Sequence, residues 1–271
     1  MSFDIEGVAW GEDPGRWPLG AAHDPLSSWH RGVALGGQGR YASALAELDR
    51  LERDADLSSA LRSLAASTRA SWARQAGAHG LAARYDGRAI ASVGLNGPLA
   101  SPMLTDARCD ALTGLAADAL GRGRFSAAAA LLSRCEAVLG EAGNTERHRH
   151  RRQRLRLWWV RAELAMVSGD GAAAVRHATA ALALSTDTIS LRHRVKTELI
   201  AAAAYSSIGD VERSRTTAEQ ALGTCSERSL IPLRWAAAML LNGLGDAATA
   251  RPIIDECAAV LRRRGIHLAR A

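Results

Sequence analysis

Aromatic residues are scarce in this 271-residue chain, at 4% of the sequence: seven Trp, three Tyr and two Phe. Valine, isoleucine and threonine are also sparse. Strands favour the very residues that are missing, so an all-β fold is excluded and a parallel-sheet enzyme is disfavoured. The four cysteines, Cys109, Cys135, Cys225 and Cys257, lie far apart without a CxxC pair. That spacing gives neither a disulfide framework nor a zinc site, and buried packing is the ordinary role of such residues. No apolar run approaches the roughly 18 residues that span a bilayer. The N-terminal MSFDIEGVAW is acidic and lacks a basic stretch followed by an apolar one, so no secretory signal is expected. A cytoplasmic protein without membrane contact is the expectation. HExxH, GxSxG and GxxxxGK[ST] are all missing. Gly36-Gly37-Gln38-Gly39 precedes no Walker lysine and reads as a helix tail and turn.

Alanine is what the chain has instead, 56 residues of it, and alanine is the strongest helix former. The charge is mildly basic, with 34 Lys+Arg against 28 Asp+Glu and a net of +6. Lys196 is the only lysine. A GC-rich genome explains this arginine bias, and so does recognition of phosphate or carboxylate.

Residues 1–25 stand apart. WGEDPGRWPLGAAHDP carries Pro14, Pro18 and Pro25, and this density of proline and glycine breaks helices. An extended arm follows, with Trp10 and Trp17 anchoring it to the body. From residue 26 to 271 a unit recurs: an apolar helix, a glycine turn, then a second helix with a small residue five positions after the glycine. The copies turn at Gly39, Gly77, Gly123, Gly169, Gly209 and Gly245, with Ala44, Ala82, Ala128, Ala174, Ser214 and Ala250 in the fifth position. Glycine suits the left-handed residue that ends a helix. Asp170, Asp210 and Asp246 are placed to cap the next one. Twelve residues after each glycine come Leu51, Ala89, Cys135, Ala181, Ala221 and Cys257, mostly small residues that let helices approach. The last helix is expected over residues 251–268, ending near Arg262-Arg263-Arg264-Gly265.

The unit resembles the tetratricopeptide repeat (TPR) family over about residues 26–264. The segments that carry the resemblance are GRYASAL, GRFSAAA, GDGAAAV, GDVERSR and GDAATAR, with Trp158, Ala162, Gly169, Ala174 and Ala181 at the family's spacing. The intervals between turn glycines are longer than the family's, as in the sensor portions of bacterial signalling regulators. The segments LNGPLASP (95–102) and GEAGNTE (140–146) are the loops that absorb the difference. The resemblance implies an all-α, right-handed superhelical solenoid of about six hairpins, because one helix pair cannot bury its own apolar face.

It also implies a concave groove lined by the first helix of each repeat, 13, 10, 6 and 3 positions before the turn glycine. That rule selects Arg156, Trp159, Glu163 and Met166; Lys196, Leu199, Ala203 and Ser206; Pro232, Trp235, Met239 and Asn242; and Leu64, Ser67, Ser71 and Arg74. Trp159 and Trp235 are either apolar anchors for a partner or core packing, while Arg74, Arg156 and Lys196 favour an acidic partner. The Lys/Asn set with which some TPR domains hold a C-terminal carboxylate is not reproduced. The function expected is capture of a protein segment or peptide, without catalysis and without a cofactor. A second reading is that the Trp-bearing arm docks into a neighbour's groove, giving a homodimer, or into its own. A third rests on the basic run from Arg147 through Arg149, Arg151, Arg152 and Arg154 to Arg156, either a solvated helix start or a contact for an acidic protein or nucleic acid. Nucleic acid is the less favoured of these, since no stacking aromatics interleave the run. Metal binding by His148 and His150 is disfavoured among so many guanidinium groups.

Overall fold

The fold comes from a computed structural model that describes residues 4–141 and 150–266. Among these residues the secondary structure is helical. A short α1 (Ile5–Trp10) precedes six antiparallel hairpins. They are α2 (Pro25–Gly37) with α3 (Tyr41–Glu52), α4 (Ser59–Gln75) with α5 (His79–Val93), and α6 (Pro102–Gly121) with α7 (Phe125–Glu141). Then come α8 (Arg151–Val167) with α9 (Gly171–Ser185), α10 (Leu191–Ser207) with α11 (Val211–Glu227), and α12 (Ile231–Gly243) with α13 (Ala247–Arg263). Each first helix packs on the first helix of the next hairpin, and the second helices line the other side of the stack. This is an all-α repeat solenoid.

All six turn glycines adopt the left-handed conformation, with φ between 71° and 94°. In each turn the amide after the glycine reaches the carbonyl five residues back, at 2.8 to 3.1 Å, from Arg40→Leu35 through Asp246→Leu241. These bonds satisfy carbonyls that a helix end leaves open, and a side chain at the glycine would strain them. The small residues five and twelve positions on are all buried. Ser214, which takes the place of alanine in the fifth repeat, donates its hydroxyl to the Ala202 carbonyl at 2.8 Å. Capping follows the expectation at two aspartates. Asp170 accepts from the Ala173 amide and Asp210 from the Arg213 amide, at 2.9 and 3.2 Å. Asp246 makes no cap bond and lies 3.8 Å from the Arg215 guanidinium instead. The final helix begins four residues before its expected start, at Ala247, and Leu268 lies outside the described residues. The extra length of the long repeats goes into α6, at 20 residues, and into the loop at 94–101. Most of GEAGNTE lies outside the described residues.

The arm is not simply extended. Asp4 caps α1 by accepting from the Gly7 amide, and the chain then crosses the solenoid as a strap. The Gly11 carbonyl accepts from the Leu191 amide at 3.1 Å. Glu12 pairs with Arg194 at 2.6 Å, and Gln38 donates to the Pro14 and Arg16 carbonyls. Gly15 passes so close to the turn before α12 that a Cβ would lie 2.2 Å from the Arg228 carbonyl oxygen. Trp10 is the anchor, packed against Trp29, His30 and His193. Trp17 is half exposed, with only the Arg40 guanidinium 3.6 Å over its ring.

The last hairpin returns to the first. The Ala42 amide donates to the Arg264 carbonyl at 2.9 Å, and Arg264 donates to the Gln38 carbonyl at 2.7 Å. Leu261 is fully buried in the same apolar cluster as Trp29, Val33 and Leu48, and Ile231 and Trp235 pack against it. The solenoid therefore closes on itself after a single turn.

Candidate functional site

The closed turn encloses a cavity of about 500 Å³, walled by the first helices α2, α4, α6, α8, α10 and α12. Of the sixteen groove positions picked out by spacing, Ser71, Arg74, Arg156, Trp159, Glu163, Lys196, Pro232 and Trp235 line it together. Asn242, near the end of α12, does not. Gly36 and Gly37 form part of the wall, and the lack of side chains there brings two groups close. A Cβ on Gly36 would stand 2.4 Å from Trp72 Nε1, and one on Gly37 would stand 3.1 Å from Arg192 Cδ.

Both tryptophans line the cavity and also pack in the core. Trp159 is 6% exposed, its Nε1–H donates to Thr197 Oγ1 at 2.9 Å, and its ring faces the cavity beside Lys196. Trp235 lines the cavity and also packs on the apolar cluster of the first hairpin, so it helps close the turn.

The polar wall is mostly compensated from behind. Arg74 contacts Asp86 at 2.9 Å and Asp118 at 2.7 Å and donates to the Gly114 carbonyl. Burial opposes the charge of Arg74, but the two carboxylates outweigh it and raise its pKa. Two carboxylates sharing one cation cannot both be well stabilised. Burial pushes Asp86 up to about 7 despite the lowering pull of Arg74. Arg156 Nε lies 3.1 Å from Asp110 Oδ1, and Lys196 lies 4.0 Å from Glu163. Arg74 and Arg156 are thus held internally, which leaves them less free to select a partner than the spacing implied.

Arg192, which the groove spacing did not select, is the exception. It lines the cavity and has no acidic partner among the described residues. Its neighbours are the Trp10 ring at 5.7 Å, the Ala9 carbonyl at 3.5 Å, and the guanidinium groups of Arg152 and Arg156. Burial, then repulsion from those two arginines, lowers its pKa to about 10. Burial and the neighbouring arginines also push His193 well below its usual range. The sequence held a signal for Arg192. It sits four residues before Lys196 as Arg152 sits four before Arg156, one helical turn further along the same face.

Among the described residues of the basic run, 150–156, the arginines are turned inward. Arg152 contacts Asp110 at 2.7 Å and lies 5.0 Å from the Trp10 ring. Arg154 donates to the Leu139 carbonyl at 2.8 Å, and Arg151 lies against Asp187. The side chains of Arg151, Arg152 and Arg156 keep only 20%, 19% and 23% of their exposure. The reason is that α8 is a first helix with neighbours on both sides, so its arginines turn toward Asp110, Asp187 and backbone carbonyls. Arg147 and Arg149 lie outside the described residues. Among the described residues no cluster of three or more His, Cys, Asp or Glu is placed to hold a metal ion, and no helix is long and apolar enough to cross a membrane.

No protein-family model matches the chain, and no curated protein matches it. Solved structures do. The crystal structure of a Rap protein complexed with competence and sporulation factor aligns with a TM-score of 0.63 at 12% identity, over 88% of this chain. The chain spans 65% of the length of that protein. TPR-like repeats of a Podosopora anserina kinesin light chain align with a TM-score of 0.47 at 19% identity, covering 76% of this chain and 96% of theirs. With six glycine-punctuated hairpins stacked in register, the chain has the fold of an all-α helical-repeat solenoid, shared with that Rap protein.

Proposed function

We propose that this chain is a binding module that captures a short peptide or protein segment in its central cavity. The observation that carries the reading is convergence. Residues from four hairpins far apart in sequence, Arg74, Arg156, Trp159, Glu163, Lys196 and Trp235, line one cavity of about 500 Å³. Its wall combines large apolar rings with charged groups of both signs, the combination in which binding energy concentrates. The Rap protein of like fold, crystallised with competence and sporulation factor, supports a ligand-receiving role. Binding rather than catalysis fits the wall, whose buried acids are engaged with arginines. Four free, buried thiols support a place in the cytoplasm. Self-association through the arm has less support, because Trp10 is already packed against Trp29 and His193 of its own chain.

The test is selection of peptides from a synthetic library on the full chain, followed by calorimetric titration of the best binders. Trp159→Ala and Trp235→Ala should each weaken binding by about tenfold or more. Trp159→Phe and Trp235→Phe keep the turn closed and should retain most of it. Unchanged affinity in both alanine variants, with helicity intact, removes the cavity reading.

A further inference from the structure

We propose that the cavity holds a seat for a single carboxylate of its ligand, and that Arg192 is the residue that receives it. The proposal rests on the peptide-capture reading and adds the chemical group recognised.

The argument starts from charge compensation around α8 and α10. Arg152 and Arg156 share Asp110, at 2.7 and 3.1 Å. Arg74 holds Asp86 and Asp118, and Lys196 has Glu163. Arg192 alone among these cations has no acidic partner among the described residues. A buried guanidinium without a counter-charge is costly, and folded chains ordinarily pair it. Here the neighbours make matters worse, since Arg152 and Arg156 repel it. The electrostatics are completed by an anion arriving from the cavity, the side of Arg192 that the protein leaves open. A guanidinium fork binds a carboxylate by two parallel bonds, which fits it to a carboxylate arriving from the cavity.

The arginine is also held in place for this task. Its guanidinium lies against the backbone at Gly37, where a Cβ would be 3.2 Å from Nε and 3.4 Å from Cζ. From the arm, Trp10 stands 5.7 Å from it and the Ala9 carbonyl accepts from Nη2 at 3.5 Å. The strap therefore positions the seat, and Arg192 links the N-terminal arm to the ligand cavity.

The experiment follows the Arg192 Nε–H resonance of the full chain by NMR, assigned by its loss in Arg192→Gln. The probes are N-acetyl-trialanine with a free C-terminal carboxylate, the same peptide as its C-terminal amide, and inorganic phosphate. The free acid should shift the resonance and saturate at about tenfold lower concentration than the amide. In Arg192→Gln the preference of acid over amide, read on backbone resonances of α10, should vanish, and Arg192→Lys should restore part of it. In low-salt buffer Arg192→Gln should melt no lower than the native chain, because it removes a half-buried charge that has no acidic partner among the described residues. Equal saturation by acid and amide, a shift with phosphate alone, an acid preference that survives in Arg192→Gln, or melting well below the native chain would each overturn the seat. Library peptides that still lose affinity in Trp159→Ala would then leave peptide capture standing without it.

Discussion

Gly36→Ala is a sharp test of the packing around the cavity. In most helix interiors this change is favourable, by about 0.5–1 kcal/mol, because glycine loses more backbone freedom on folding. At Gly36 the new Cβ would meet Trp72 at 2.4 Å from Nε1 and 2.5 Å from Cε2 and Cζ2. Those are atoms of a rigid ring, not the end of a flexible chain. The indole is 6% exposed and lies edge-on to Tyr41 at 6.0 Å, and Tyr41 is tied to Gln75 through its hydroxyl at 2.6 Å. Retreat is blocked, and overpacking of this kind costs about 1–3 kcal/mol. The net expectation is a loss of about 1–2 kcal/mol, a few degrees in melting temperature for a chain of this size. Gly87, inside α5 with nothing within 4 Å of its built Cβ, is the control, and Gly87→Ala should stabilise. In a Trp72→Leu background the effect of Gly36→Ala should change sign and match the control. Calorimetry of the four chains reads all of this. If Gly36→Ala stabilised the native chain as Gly87→Ala does, the close approach of α2 and α4 would be refuted.

Two further predictions concern charge and capping. Burial holds the folded pKa of Asp86 near 7, above its ordinary value, so the folded state keeps a proton there that the unfolded chain releases. The contribution of Asp86 to stability is therefore present in acid and falls as pH rises from about 4 to about 7. Asp86→Asn leaves Arg74 its contact with Asp118, and its stability relative to the native chain should improve by on the order of 2 kcal/mol between pH 5 and 7.5. A difference independent of pH in urea titrations would contradict this. Asp170→Ala removes a cap bond and should cost about 1 kcal/mol, whereas Asp246→Ala should cost clearly less, since Asp246 makes no such bond. Equal losses in thermal unfolding would show that the two aspartates act alike.

The parts of the fold that were legible in the sequence are those set by local rules. Only a left-handed residue closes each hairpin, so glycine marks every turn, and helices at close approach admit only small side chains at Ala128, Ala174 or Cys135. The first-helix spacing likewise placed eight of its sixteen positions on one wall. What was not legible depends on contacts between distant segments. Arg264 and Gln38 meet across nearly the whole chain, and no local pattern predicts that the last hairpin returns to the first. The strap was hidden because its anchor, Trp10, finds partners on α2, α8 and α10. The arginine run looked like a surface feature because its acidic partners, Asp110 and Asp187, lie on other elements. Arg192 escaped because its significance is the lack of a partner, which can be read only once every neighbour is placed.

The central claim is that the hollow of the closed turn receives a ligand. A crystal structure of the full chain with a library-selected peptide tests it most directly. Peptide density between α4, α8, α10 and α12, in contact with Trp159 and Trp235, is the predicted result. A peptide seated on the outer face formed by the second helices, with the cavity unfilled, would contradict it.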